Sequence, residues 1–326
     1  MVVVFVSIGL RFRVEVEALN MTESLGAYTR HRTVSLLKKF KKQSGEIGYK
    51  IVTVPAISGQ SISHGYHRAL VEVAKKMDLE VCEECRKYEI IGGFIKHGTA
   101  GKNISDIEVV KNCVVEDITG FMVPDANIRR TSAIMFSYMI PDIEYAETAI
   151  EPQFHVRYDF RTQKHNPFQI ESGTAMYMLG IAIDVDKIGK IATQKGEIIV
   201  DNRIERIKAA FLALSTLIEG LVFGAKKARY LPIHEVAGGI SAISHPIPFM
   251  VTPPRGYNYI KNTIDRALTY RDVLKDLEEF IKIIYLDKEG FEKPEIEYKD
   301  MILQVDSFSE MISKTLDIVL EIIKKH

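Results

Sequence analysis

The stretch PAISGQSISHGYHRALVEVAKKM, residues 55–77, decides the fold because it marks the passage from a strand into a helix. Gly59 and the serines on either side of it are typical of a turn and of a helix N-terminus. Beyond them, apolar residues recur at the spacing of one helix face, which predicts a helix over residues 60–77. These apolar residues are Leu70, Val71, Val73, Ala74 and Met77.

The segments that precede this helix predict strands. Residues 7–17 alternate between apolar and charged side chains, which is typical of a strand with one buried and one wet face. The apolar set is Ile8, Leu10, Phe12, Val14 and Val16, and the charged set is Arg11, Arg13, Glu15 and Glu17. Residues 33–54 could begin as a basic helix, but Ser44 and Gly45 followed by β-branched residues favour a β-hairpin.

The rest of the chain adds further strands and helices. Residues 80–150 contain glycines and short strands without a clear repeat, which indicates a large irregular insertion. Strands are predicted at 154–160, 174–185 and 226–236, and helices at 203–222, 261–283 and 306–325, with a short strand between the last two. Residues 236–258 are rich in Gly, Pro and Ser and predict a long loop. This order predicts an α+β fold with an antiparallel sheet and an RRM-like (ferredoxin-like) β-α-β-β-α-β core.

Composition and charge are those of an ordinary globular protein. The 326 residues are 46% hydrophobic and 26% charged, and 43 Lys and Arg balance 43 Asp and Glu. The charge is unevenly spread, because residues 1–70 hold ten Lys and Arg against four Asp and Glu. A neutral protein with such asymmetry can carry a basic face, and a basic face is what nucleic acids recognise.

The opening stretch also contains residues that could carry chemistry. On a helix His64 and Arg68 lie one turn apart on one face, and His67 lies beside them. The amides of residues 59–63 would be the unpaired donors of a helix N-terminus, which bind phosphate well. Three interpretations stay open at this point. The stretch contacts an RNA or DNA backbone, or a histidine acts as general base, or a serine merely caps the helix.

Two later motifs combine cations with aromatic rings or glycine. In QFHVRYDFRTQKHNPFQ, residues 153–169, a strand places His155, Arg157 and Asp159 on one face and aromatic residues on the other. Such a face suits single-stranded RNA, although the rings could equally be core residues. In GLVFGAKKARYLP, residues 220–232, a loop presents three cations, which either contact phosphate or complement a helix C-terminus. They are Lys226, Lys227 and Arg229.

The cysteines, the absence of known enzyme signatures and the N-terminus argue against a zinc site, a nucleotide-dependent enzyme and a secreted or membrane protein. Cys82 and Cys85 have the spacing of a zinc half-site, with His97 and Cys113 downstream, but a matching second pair is missing. No nucleotide or metalloenzyme signature occurs, so neither a metal nor a cofactor is predicted. The start of the chain has no signal-peptide pattern and predicts a cytoplasmic protein that does not engage a membrane.

Six motifs, in this order, resemble one known family. They are ESLGAYTRHRT (23–33), VPAISGQSISHGYHRALVEVAKK (54–76), RRTSAIMFSYMIP (129–141), QFHVRYDF (153–160), ESGTAMYML (171–179) and FGAKKARYLP (223–232). The chain is similar to the DevR/Csa-type CRISPR-associated autoregulators of the RAMP superfamily. Members form the crRNA-binding backbone of the archaeal type I-A Cascade complex.

The resemblance implies a fold and a function. It implies an RRM-like palm with large insertions and a crescent or hand shape. The palm would comprise residues 1–79, 151–235 and 259–326, with a finger-like insertion at 80–150 and a thumb-like loop at 236–258. Copies would self-associate into a helical filament along the crRNA, joined by other Cascade subunits. They would hold the RNA backbone without reading its sequence, and the guide would pair with target DNA.

The family motifs also imply which residues contact RNA. Three features match family patterns: the Ser-Gly turn with His64, the strand with His155 and Arg157, and the glycine-basic loop at residues 220–232. His67 and Arg68 are less typical. The RNA-binding set predicted in this way is Ser58, Gly59, Gln60, His64, Arg68, His155, Arg157, Lys226, Lys227, Arg229, Arg30 and Arg255. The prediction is a non-catalytic binder. The alternatives are a metal-independent RNA endonuclease that uses His64 or His155, and a transcriptional autoregulator.

Overall fold

A computed structural model describes residues 4–98, 101, 103–277, 280–291 and 300–325. The strands are β1 (Phe5–Glu17), β2 (Met21–Leu25), β3 (Tyr28–His31), β4 (Thr33–Lys41), β5 (Ile47–Pro55), β6 (Phe121–Val123), β7 (Ile128–Arg130), β8 (Ile134–Phe136), β9 (Ile140–Pro141), β10 (Ala149–Asp159), β11 (Lys164–Asp184), β12 (Lys190–Thr193), β13 (Gly196–Ile199), β14 (Ile233–His245), β15 (Phe280–Asp287) and β16 (Ile302–Val305). The helices are α1 (Gly59–Lys76), α2 (Glu83–Arg86), α3 (Tyr88–Ile91), α4 (Asp106–Asn112), α5 (Val114–Thr119), α6 (Arg203–Glu219), α7 (Tyr259–Val273) and α8 (Phe308–Lys325), and a 3₁₀ turn spans Lys275–Leu277.

A large sheet organises the chain around its first strand. Its order in the described residues is β16-β15-β14-β1-β11-β3-β2, and β8, β9 and β10 also pair with β11. Strand β1 is antiparallel to both of its neighbours, β11 and β14. The β11–β3 and β15–β16 pairs are parallel. The prediction of helices combined with a large, mostly antiparallel sheet is therefore confirmed.

Alternation along β1 places one set of side chains under the helices. Val6, Ile8 and Leu10 are buried in a core shared with α1, α6 and α8. Fully burying one such side chain contributes about 1.5–3 kcal/mol. Around β14 and β15 the opposite face of the sheet is covered by α7, in a second core that contains Ile240 and Ile264. The sheet is thus sandwiched between helices in this region.

Three side chains of β1 differ from the predicted alternation. Arg11 was expected on a wet face, but it is buried because the loop after β14 covers that face. Its Nη1 donates to Asp142 Oδ2 at 2.6 Å and to the Pro254 carbonyl at 2.8 Å, and its Nε donates to Glu289 Oε2 at 2.7 Å. Val16 was expected inside but is 52% exposed, with φ of +52°. The strand register shifts between Val14 and Glu17, and this bulge turns Glu17 into the interior.

The predicted long loop at 236–258 is partly wrong. Its first ten residues belong to β14, which pairs with β1 and β15 over most of its length. The glycines that suggested a loop allow close packing instead, since a Cβ on Gly239 would lie 2.8 Å from Leu10 Cδ2. Only residues 246–258 lie outside a strand or helix.

The predicted irregular insertion at 80–150 is also more structured than expected. It contains helices α2 to α5 and strands β6 to β9, and β8 and β9 pair with β11 in the large sheet. These elements are two to seven residues long, which is too short for periodicity to reveal. The division into palm, finger-like insertion and thumb-like loop stays a prediction.

Most of the remaining predicted elements are confirmed with shifted ends. The hairpin forms as β4 and β5 around the turn at Gly45, where φ is +87°. Helix α6 ends three residues before the predicted 203–222, and the predicted 261–283 helix ends at Val273, because FIKIIYLD forms β15. Among the described residues, no helix is long and apolar enough to cross a membrane.

Candidate nucleic-acid interface

The short loop after β1 joins three of the motifs singled out in the sequence. Asn20 Oδ1 accepts a hydrogen bond from the Ser58 amide at 2.7 Å, at the start of α1. The Asn20 carbonyl accepts from the Arg32 amide at 2.8 Å, and the Leu19 carbonyl accepts from the Ala225 amide at 2.8 Å. The helix start, the end of β3 and the glycine-basic loop therefore meet around two residues.

At the helix start, Ser58 and Gly59 have structural roles. Ser58 is buried, and its Oγ caps α1 by accepting from the Ser61 amide at 3.2 Å. A Cβ on Gly59 would lie 2.7 Å from the Phe136 carbonyl oxygen, so only glycine lets the helix approach β8. The next residue, Gln60, is exposed. The capping interpretation therefore holds for Ser58, and the surface available to a ligand begins at Gln60.

The two histidines of α1 have different environments. His64 is exposed and meets the Phe94 ring edge-on at 5.6 Å. Partial burial and then the charge of Arg68 lower the pKa of His64, which favours the neutral imidazole. His67 is buried, with Nδ1 2.5 Å from the Ser63 carbonyl oxygen. Burial, followed by the charge of Lys96, lowers the pKa of His67 to about 3. His67 is thus a neutral interior residue.

Cations from α1 and from the glycine-basic loop face each other. Arg68 Nη2 lies 3.7 Å from Glu89 Oε1, and its guanidinium lies 5.9 Å from the Tyr88 ring centre. Lys227 Nζ donates to the Leu221 carbonyl at 2.6 Å, at the end of α6. Burial and then the positive charge of Arg68 lower the pKa of Lys227. An anion placed between the two cations would be favoured at this position.

The same loop contacts the hairpin formed by β10 and β11. The Arg229 guanidinium lies 5.9 Å from the Phe168 ring centre, and His155 stacks on Phe168 at 5.0 Å. His155 Nε2 is 2.5 Å from the Tyr230 hydroxyl. The structure therefore brings the second and third predicted motifs together, on the side where Lys226 is exposed.

The hairpin strand β10 exposes both of its faces. Arg157 is exposed and lies opposite Asn166 on β11. The aromatic face that could have been core is open as well, with Phe154 73% and Phe160 86% exposed. Among the described residues, the interpretation of these two rings as core residues is therefore wrong.

Two predicted arginines lie on different parts of the molecule. Arg30 is exposed on β3 and lines a cavity of about 440 Å³ with Arg32 and Glu171. Arg255 lies instead in the loop that covers Arg11, and its Nη1 donates to Glu144 Oε1 at 3.2 Å. We use the term basic surface for Arg30, His64, Arg68, His155, Lys226 and Arg229. Arg255 is left out because its loop packs on a different face of β1.

A buried network under this surface was not predicted from the sequence. His31 Nε2 lies 2.5 Å from Glu17 Oε1, and both side chains are fully buried. Glu17 also accepts from the Tyr177 hydroxyl at 2.8 Å and from the Leu19 amide at 2.6 Å. The network orients the loop that joins the motifs. There was little indication of this network in the sequence, because Glu17 looked like the last solvent-exposed residue of an alternating strand.

We expect the replacement His31→Gln to destabilise the protein most at low pH. Burial lowers the pKa of His31, but the bond to Glu17 and its charge outweigh burial, so the pKa is raised above its ordinary value. A raised pKa stabilises the fold fully below the unfolded value of about 6.5, and this contribution is lost as the pH rises through the folded pKa. Breaking a buried pair costs about 3–5 kcal/mol.

Urea denaturation at pH 5.5 and pH 8.5 measures this effect. The loss in unfolding free energy should be larger at pH 5.5. The control is His165→Gln, on an exposed hairpin residue, which should change stability by less than about 0.5 kcal/mol at either pH. Equal losses for His31→Gln at both pH values would contradict a charged pair.

Comparison with known proteins gives consistent results along most of the chain. A family model described as CRISPR-associated negative auto-regulator DevR/Csa2 matches residues 8–264. The CRISPR-associated protein Cas7/Csa2 1 of Saccharolobus solfataricus is 35% identical over 283 residues, covering 80% of this chain and 85% of that protein. The CRISPR-associated aCascade subunit Cas7/Csa2 2 of the same organism is 33% identical over 312 residues, covering 88% and 93%.

Two solved structures align with most of the chain. A chain of a CRISPR RNA-guided surveillance complex aligns over 97% of this chain and 99% of its own length, with a TM-score of 0.47 and 12% identity. A chain of a pre-nicking CRISPR RNA-guided surveillance complex aligns over 96% and 99%, with a TM-score of 0.49 and 12% identity.

Proposed function

The chain belongs to the CRISPR-associated DevR/Csa2 family, and from this premise we propose that it is a Cascade backbone subunit that binds CRISPR guide RNA without cleaving it. One relative at 33% identity bears the name of an aCascade subunit. The observation that carries the proposal is the meeting of three separate motifs around Leu19 and Asn20. Cations that are far apart in the sequence are thereby gathered on one surface.

The residues of the basic surface suit an RNA backbone. Arg68, Lys226 and Arg229 would contact phosphates, and the neutral imidazole of His64 would hydrogen-bond to phosphate or ribose. Phosphate contacts position a strand without reading its bases, which is the requirement for holding any guide sequence. The exposed rings of Phe154 and Phe160 beside Arg157 offer stacking platforms of the kind that bind single strands.

The strand order supports an RRM-like palm as part of this proposal. The neighbouring strands are, in order, β14, β1 and β11, followed by β8 and β9, which both pair with β11. Each of these pairings is antiparallel. Helix α1 lies between β1 and β8 along the chain, and α6 lies between β11 and β14, with other elements inserted. A β-α-β-β-α-β chain with these connections is the ferredoxin-like arrangement. On this proposal the other elements of residues 80–150 form the finger-like insertion.

Self-association along the guide is the second part of the proposal. Head-to-tail contacts between identical subunits form an open helix when the rotation does not close a ring. The balance of 43 cationic and 43 anionic residues limits repulsion between stacked copies. Each copy then needs only a few phosphate contacts, because many copies add up along one strand. The guide would remain free to pair with target DNA, and other Cascade subunits would complete the assembly.

We expect the purified protein to bind single-stranded RNA cooperatively and with little sequence preference. Filter binding over a range of salt concentrations tests this, and affinity should fall steeply with salt. Labelled RNA should be recovered intact after incubation in chelator. Defined cleavage that is lost in His64→Ala or His155→Ala would instead favour the endonuclease. Absence of RNA binding at low salt, alone and with partner subunits, would overturn the proposal.

The family description favours one other function, because it names a negative auto-regulator. A regulator of this kind would bind a specific DNA duplex through the same cations. Competition between single-stranded RNA and the duplex upstream of the protein's own gene distinguishes the two functions. Preference for that duplex over RNA and over unrelated duplexes would establish the regulator.

A further inference from the structure

All three cysteines of the chain come together beside α1. Cys82 precedes α2, Cys85 lies within it, and Cys113 lies between α4 and α5. With Glu116 they place four donor atoms within 4.8 Å of one another. The Cys85 amide donates a hydrogen bond to Cys82 Sγ at 3.4 Å. The backbone between these two cysteines therefore turns tightly.

The carboxylate in this cluster is buried and only half satisfied. Glu116 is fully buried, and its Oε2 lies 2.7 Å from His97 Nδ1. Its other oxygen, Oε1, is buried and has no hydrogen-bond partner among the described residues. Buried polar atoms are nearly always paired, because an unpaired one loses its hydration without compensation. A ligand at the centre of the cluster would supply the missing partner.

We propose that Cys82, Cys85, Cys113 and Glu116 bind one Zn²⁺ ion, with His97 hydrogen-bonded to the carboxylate from outside the coordination shell. A Zn–S bond is about 2.3 Å, so the sulfurs of a tetrahedral site lie about 3.8 Å apart, which fits within the observed spread. Three thiolates favour zinc over Mg²⁺ or Ca²⁺, which prefer oxygen ligands. The His97 bond to Glu116 is typical of the outer shell that orients metal ligands.

The site would be structural, and the proposal does not depend on RNA binding. Four protein ligands close a tetrahedral shell and leave no open position for a substrate. The ion would join α2 to the junction of α4 and α5, whose helices are four to seven residues long and marginal on their own. The same segment carries Phe94, which packs on His64 and His67. The sequence showed Cys113 downstream of the half-site but gave no reason to single out Glu116, and only the fold brings both beside Cys82 and Cys85.

Metal analysis of the full chain tests this inference directly. Protein purified under reducing conditions, without a histidine tag, should retain about one zinc per chain after gel filtration. Its three thiols should react with a thiol reagent only after unfolding or chelation. Zinc well below stoichiometry in protein purified in this way would overturn the proposal.

Cobalt substitution tests for thiolate ligands in the wild-type chain, and two variants then test the fourth ligand. Co²⁺ bound to the wild-type chain should show thiolate charge-transfer absorption and the visible bands of a tetrahedral ion. Glu116→Gln should shift the visible bands, whereas His97→Gln should leave them in place and weaken binding about 10–100-fold. Glu72→Gln, on an exposed carboxylate of α1, is the control and should behave as the wild type. Bands that shift in His97→Gln and not in Glu116→Gln would overturn the assignment of the fourth ligand.

Discussion

Replacing Asp117 with alanine should lower the free energy of unfolding by about 3–5 kcal/mol. Asp117 is fully buried between two arginines, with Oδ1 2.6 Å from Arg130 Nη2 and Oδ2 3.1 Å from Arg206 Nη1. Its Oδ2 also accepts from the Gly189 amide at 2.9 Å. Arg206 is itself fully buried, so removing the carboxylate leaves a charge in the interior without its counter-ion.

The same carboxylate connects parts of the chain that are distant in sequence. Arg206 belongs to α6 and also donates to the Val110 carbonyl at 2.6 Å and the Lys111 carbonyl at 2.8 Å. Arg130 on β7 donates to the Lys187 carbonyl at 2.5 Å. Losing Asp117 should therefore loosen α4 and α5 against α6 together.

Urea denaturation compared between variants measures the loss. Asp117→Asn, which keeps the shape and one carbonyl oxygen but removes the charge, should also be strongly destabilised. The control is Asp125→Ala, at an exposed carboxylate, with an expected change below about 0.5 kcal/mol. If Asp117→Ala were no more destabilising than Asp125→Ala, the two arginines would have to be satisfied by backbone carbonyls and by the contacts of Arg206 with Asn202 and Glu80.

Long periodic segments could be predicted from the sequence, and buried charges could not. Strand β1 and helix α6 repeat a clear pattern over 13 and 17 residues, so local spacing identifies them. Arg11 was expected on a solvent-exposed face, and the spacing of α6 did not mark Arg206 as buried, because burial of a charge depends on its partners. Those partners, among them Asp142 and Asp117, come from remote parts of the chain. Spacing along one segment contains no information about them.

Each binding motif could be recognised in the sequence, but the contacts that bring the motifs together in the fold could not be predicted from it. Lys226, Arg229 and His64 stood out by residue type, whereas the contacts of Leu19 and Asn20 that join them involve no unusual residues. The cysteine cluster is a similar case. Its half-site was recognised in the sequence, and only the fold places Cys113 beside Cys85.

Replacing Lys226 and Arg229 together with glutamine should weaken binding of single-stranded RNA about 25-fold at 0.1 M salt. Each phosphate contact to a single strand contributes about 0.7 to the slope of log affinity against log salt, so losing two should reduce the slope by about 1.4. Lys227 is left unchanged because its Nζ bonds the Leu221 carbonyl at the end of α6. Filter binding at several salt concentrations gives both quantities.

The slope of log affinity against log salt distinguishes the loss of phosphate contacts from a general loss of positive charge. Lys195→Gln with Arg129→Gln removes one exposed lysine and one exposed arginine outside the basic surface, and should leave the slope unchanged. Equal effects of the two double variants would mean that net charge, not the basic surface, determines affinity.

Arg229→Gln alone should weaken RNA binding more than Arg255→Gln. Arg255 is bonded to Glu144, whereas Arg229 lies over Phe168 beside His155. The reverse order would place the RNA on the other face of β1.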